Sequence, residues 1–140
     1  MILITFMFFI TSNPAVDYLG EMVGRNFLDQ TVNKDHTRAS LLCAETVNFD
    51  GTIVKGTDKI AAHLKTIFSS HPADIHFKKI LTMPAKLAVE KFGPFPVRLG
   101  KINIDKALVV FGRRKSGGIA VILEEDKTIA GQYRVVALTD

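Results

Sequence analysis

Along the chain, apolar residues fall first at helical spacing, then in alternation, then in runs separated by turn residues. The helical part begins at Asn13-Pro14, where an Asn side chain can cap free amides and proline suits the first helical position. Val16, Leu19, Val23 and Phe27 recur three and four apart, with Tyr18, Met22 and Leu28 beside them, so the spacing predicts one helix over 14–31. Gly20 and Gly24, four apart on one face, weaken that helix but let another element approach it closely. "NKDHT" reads as a loop. Thr37 or Asp35 then caps a shorter helix, "TRASLLCAE", with Ala39, Leu42 and Cys43 facing inward.

From Thr46 the period becomes two. "TVNFDGTIVKG" puts Val47 and Phe49 on one side, turns at Asp50-Gly51 and resumes through Ile53, the pattern of a β-hairpin. A third helix follows, capped by Thr57, with Ile60, Leu64, Ile67 and Phe68 as its buried stripe and an end near "SSHP". Four runs read as strands: "DIHFKKILTM", "KALVVFGRR", "GIAVILEED" and "QYRVVAL". Ser116-Gly117-Gly118 joins two of them tightly, and Asp126-Lys127-Thr128 begins the next turn. Residues 84–103, "PAKLAVEKFGPFPVRLGKIN", fit this scheme least well, and read as a helical start plus a Pro-rich loop or as an insertion.

The order helix, helix, hairpin, helix, strand meander predicts an α+β fold with a curved antiparallel sheet and about three N-terminal helices on one face. The strand faces "LVVF", "IAVIL" and "VVAL" carry more apolar surface than one interior plainly needs, so pairing with another chain through the sheet is expected.

At 140 residues the chain fits one domain, 13–140, preceded by an apolar segment, 1–12. "MILITFMFFI" is too short to span a bilayer. It reads as a secretory signal, a packed β-rich arm or a misplaced start. No Lys or Arg precedes it and no cysteine framework follows, which disfavours secretion. A lone Cys43 in an apolar run reads as a buried thiol in a reducing compartment. The net charge of +4 and pI near 9.3 suit an acidic partner or nucleic acid as well as simple solubility.

Candidate chemistry is sparse. Gly51 and Gly56 serve turn and helix entry, because "GTIVKG" lacks the Lys-Ser/Thr pair of a phosphate loop. His36, His63, His71 and His76 share no ligand spacing with Cys43, so no metal and no cofactor is expected. Asp50, His76, Tyr18 and Tyr133 are the groups available for proton transfer or oxyanion binding. Each also has an ordinary role: Asp50 in a solvated turn, His76 on a strand, Tyr18 at a core edge. Arg113, Arg114 and Lys115 form a basic hairpin tip; with few aromatics interleaved for base stacking, any RNA contact there is weak and salt-sensitive.

"MVGRNFLDQ", "NFDGTIVKGTDKIAAHL" and the final strands "GIAVILEED" and "QYRVVAL" resemble the nuclear transport factor 2-like family over residues 16–83 and 106–138. The resemblance implies a cone-shaped α+β fold used in one of two ways. The enzymes of the family use the interior; here that role falls to Asp50 or His76 as base and Tyr18 as donor. Its transport and adaptor members use the sheet surface. In the branch that carries the GDP-bound GTPase Ran, an acid follows the aromatic of the first hairpin, as in Phe49-Asp50. The further acids of that branch are replaced here by Arg113, Arg114 and Lys115, and reversed charge costs affinity. Carriage of Ran is therefore not expected. The leading expectation is a non-catalytic nucleocytoplasmic transport factor or mRNA-export adaptor subunit. It would form a homo- or heterodimer in nucleus and cytoplasm and bind an export receptor or nucleoporin-type protein through Phe49, Asp50, Arg113, Arg114 and Lys115, with no membrane contact. The alternative is a small isomerase- or dehydratase-like enzyme using the cone pocket.

Overall fold

Helical spacing in the first half of the chain and alternation in the second become helices packed on a six-stranded curled sheet. The computed structural model describes residues 14–69, 77, 79–114 and 117–140. In chain order these form α1 (Pro14–Val32), α2 (His36–Leu41), β1 (Cys43–Phe49), β2 (Thr52–Lys55), α3 (Thr57–Ser69), β3 (Lys79–Pro84) and α4 (Ala85–Phe92). A 3₁₀ turn (Val97–Leu99) leads into β4 (Ala107–Arg114), β5 (Gly117–Glu125) and β6 (Tyr133–Thr139). The sheet order is β2-β1-β6-β5-β4-β3. Segment 1–12, Asn13, residues 74–76 and 78 of the "DIHFKKILTM" run with His76 among them, Lys115 and Ser116 lie outside the described residues.

Three local features explain the element boundaries. Asp35, one of the two expected caps, starts α2: its Oδ1 accepts a hydrogen bond from the Arg38 amide at 3.1 Å. That helix stops at Leu41 rather than running to Glu45, and Cys43 opens β1 instead of lying on a helix. The reason is competition from the sheet, since the Leu42 carbonyl accepts the Val135 amide of β6 at 3.0 Å. At the hairpin, Asp50 (φ +52°) and Gly51 (φ +105°) both take left-handed backbone, which a two-residue turn between Phe49 and Thr52 requires. The Asn48 side chain locks it by accepting the Gly51 amide at 2.7 Å.

The sheet is not wholly antiparallel. β1 and β6 run parallel, while the other four pairs are antiparallel. Antiparallel pairing is natural for strands joined by a short turn, but β1 and β6 are separated by most of the chain, so no hairpin dictates their sense.

Strand alternation sends side chains to two apolar layers. On the helix side, Phe27, Leu28, Ile60, Leu64 and Phe68 pack on Val47, Val110, Val121, Leu123 and Val135. Each such side chain contributes about 1.5–3 kcal/mol on leaving water. Gly24 permits the close fit of α1 here: a Cβ at that position would lie 3.0 Å from Cβ of Val110, and nearer still to its Cγ2. On the other side of the sheet, Val109, Ala120, Ile122 and Ala137 are covered by Ala85, Ala88, Phe95 and Leu99.

That second layer accounts for the apolar strand surface from which pairing with another chain was expected. Residues 84–103, which fitted the strand scheme least well, hold α4 and a 3₁₀ turn laid across the apolar sheet face. The surplus apolar surface of β4, β5 and β6 is thus buried within the chain. Among the described residues no helix is long and apolar enough to cross a membrane.

Candidate functional site

The second half of α3 stands over the ends of β1, β4, β5 and β6, and the sheet curls away beneath it. The space left is a cavity of about 280 Å³. Its apolar wall is Phe49, Ile67, Phe68, Ile119 and Leu138; its polar groups are Asp50, His63, Arg114, Thr139 and Asp140. A concave, mainly apolar space with a few converging polar groups is the usual form of a small-molecule site.

His63 sits where the helical period puts it. It lies three residues after Ile60 and four before Ile67, on the edge of the buried stripe, and its ring meets that of Phe49 at 4.6 Å, tilted by 46°. It is half-buried, and its ring makes no hydrogen bond to the described residues. Imidazole is the side chain suited to take and return a proton near neutral pH.

Arg114 reaches the cavity through the alternation of β4. Leu108 and Val110 face the helices, and two further steps of the period bring Arg114 to the same side while Arg113 points outward and is exposed. The basic cluster is therefore divided between two faces. Nε and Nη1 of Arg114 are shut off from solvent without an acceptor.

Asp50 has a different task from that of a base in an apolar pocket. Its Oδ1 accepts hydrogen bonds from Arg98 Nε at 2.6 Å and from the Thr139 hydroxyl at 2.7 Å. The Thr139 and Arg98 bonds, in that order, hold its carboxyl below the usual carboxylate range. Asn48 adds a bond from its amide to the Arg98 carbonyl at 3.1 Å, so the β1–β2 turn is tied to the 3₁₀ turn and to the end of β6. Asp50 is thus at the cavity rim as part of a clamp, and its lowered proton affinity makes it a weak base.

Tyr18 is 62% exposed on α1 and takes no part in the cavity. Phe49 does line it, next to Asp50. Among the described residues no group of three His, Cys, Asp or Glu side chains could hold a metal ion. The face each residue takes was readable from period, 3.6 for His63 in the helix and 2 for Arg114 in the strand. Their meeting depends on how the sheet curls, which no local pattern records.

No protein-family model matches the chain, and no curated protein does. Eleven chains of solved structures do. A protein from Sphaerobacter thermophilus superposes with a TM-score of 0.50 at 17% identity, over 84% of this chain and 89% of that one. Aln2 from a Streptomyces species superposes with a TM-score of 0.51 at 10% identity, over 90% and 89%. At such identities the likeness shows a shared α+β architecture and leaves the chemistry to the side chains.

Proposed function

We propose that this chain is a nuclear transport factor 2-like domain that binds a small, mostly apolar molecule in the cavity under α3, with His63 moving a proton in an isomerase- or dehydratase-like reaction. The observation that carries this reading is the cavity itself: five apolar side chains wall it, and the His63 ring projects from α3 with no hydrogen bond to the described residues. The fold assignment draws its support from the hairpin-helix segment around Asp50-Gly51 and from helices packed on a six-stranded curled sheet. His63 replaces Asp50 as the acid-base group, because Asp50 is committed to Arg98 and Thr139.

The test is exchange of carbon-bound protons in a panel of small cyclic enones, followed by NMR in heavy water. General acid-base groups contribute about 10²- to 10⁴-fold, so His63→Ala should lose exchange on that scale, with Asp50→Asn within a few-fold of the native rate. Exchange unchanged by His63→Ala, or enones that perturb no resonance of the cavity wall, would refute it.

A protein-binding role is the second reading, and a separate observation favours it. On the outer layer Phe92 is 66% and Val97 95% exposed, although the sheet beneath is covered. An adaptor of the transport type would dock there. Light scattering of native protein beside a Phe92→Ser/Val97→Ser variant tests it, and an identical mass for both in the presence of a candidate export receptor would remove it.

A further inference from the structure

Among the described residues, His36, Thr82 and Arg114 have buried polar atoms without a partner, and of these three Arg114 is the one that lines the cavity. Two of its nitrogens are out of solvent with no acceptor, and no ion pair joins it to a carboxylate among the described residues. Buried guanidinium groups are normally paired, because each unmet N–H and the uncompensated charge destabilise the folded chain. The two acids nearest in the lining do not meet this need. Asp50 is already engaged by Arg98 and Thr139, and Asp140 is exposed at the rim.

From this we infer that the cavity's ligand carries a carboxylate, and that Arg114 is the residue that reads it. The inference rests on the cavity reading above and adds the substrate class: a small apolar acid, its ring or chain against Phe49, Phe68 and Leu138, its anionic end at the β4 terminus. A guanidinium matches the planar, two-oxygen geometry of a carboxylate, and the bond is charge-assisted in surroundings poor in water. A phosphate fits less well, since its larger charge calls for several donors and the lining offers one cation outside an ion pair beside two acids. The size agrees with a small ligand, because about 280 Å³ lies just under the usual range of about 300–1,000 Å³ for drug-sized molecules.

The experiment titrates 2-naphthoate and its neutral isostere 2-naphthamide into the full chain, by calorimetry and by amide NMR shifts. The native protein should bind the acid at least about tenfold more tightly than the amide, the difference expected of a charge-assisted hydrogen bond. Arg114→Met should bind the two equally while remaining folded, since an apolar chain of similar length replaces a half-buried guanidinium with two unmet nitrogens. Arg114→Lys should keep part of the preference through its charge. Equal binding of acid and amide to the native protein, with shifts at Phe49 and Leu138, would overturn the carboxylate inference and leave the cavity reading standing. A preference that survives in Arg114→Met would overturn the assignment to Arg114. Absence of shifts in the cavity lining with either probe would overturn both.

Discussion

Replacing Gly24 by alanine sets two known effects against each other, and the structure decides which prevails. Alanine is favoured over glycine inside a helix by about 0.8–1.0 kcal/mol, so on propensity alone Gly24→Ala would stabilise α1. The added methyl, however, would stand 3.0 Å from Cβ of Val110 and closer to Cγ2, well inside carbon–carbon contact. Val110 cannot yield easily, as it is fully buried in β4 between β3 and β5, and its branched side chain has few rotamers. Overpacking costs about 1–3 kcal/mol, and so short a contact with a side chain that cannot yield belongs in the upper half of that range, so after the propensity gain the net expectation is a loss of about 1–2 kcal/mol. With a urea slope of about 2 kcal/mol/M, the unfolding midpoint should fall by about 0.5–1 M, read by far-UV circular dichroism. The control is Val110→Ala, alone and combined. Removing the two methyls makes room, so the double variant should be no less stable than Val110→Ala alone, a coupling of about 1–2 kcal/mol. A Gly24→Ala variant more stable than the native protein, or strictly additive with Val110→Ala, would refute the close-approach argument.

Two other expectations concern titrating groups. Asp50 has its folded pKa lowered by Thr139 and Arg98, so its contribution to stability is complete above the ordinary value of about 3.9 and is lost as pH falls through the lowered folded value. Asp50→Asn should flatten the acid limb of the stability curve in that window, measured by urea midpoints between pH 2 and 6; an unchanged limb would show that the clamp is not a source of pH dependence. Burial pushes the Cys43 thiol up to about 12, so the folded protein should resist an aromatic disulfide reagent at pH 8, with modification following the unfolded fraction as urea rises. Rapid labelling without urea would contradict the burial of that residue.

Legibility in the sequence varied with how local the cause was. The long first helix, the Asp50-Gly51 hairpin and the entry to α3 were readable because each depends on spacing or on a turn residue within a few positions. The end of α2 was not, since the Leu42 carbonyl is claimed by Val135, more than ninety residues on. The parallel sense of β1 and β6 was hidden for the same reason. At the site, Phe49 and Asp50 were found, but Asp50 reads as a base only until Arg98, in a stretch without clear pattern, is seen to bind it. His63 was weighed only as a metal ligand, and Arg114 was grouped with its neighbours in sequence rather than with the strand face it shares.

The cover formed by residues 85–104 has a thermodynamic consequence beyond the apolar area it hides. It is tethered at both ends, to β3 before it and to β4 after it, so its encounter with the sheet is intramolecular. A sheet shielded by a second subunit becomes less stable on dilution, because its shield can depart. Here the shield travels with the sheet, so dilution cannot remove it, and the burial it supplies does not depend on protein concentration.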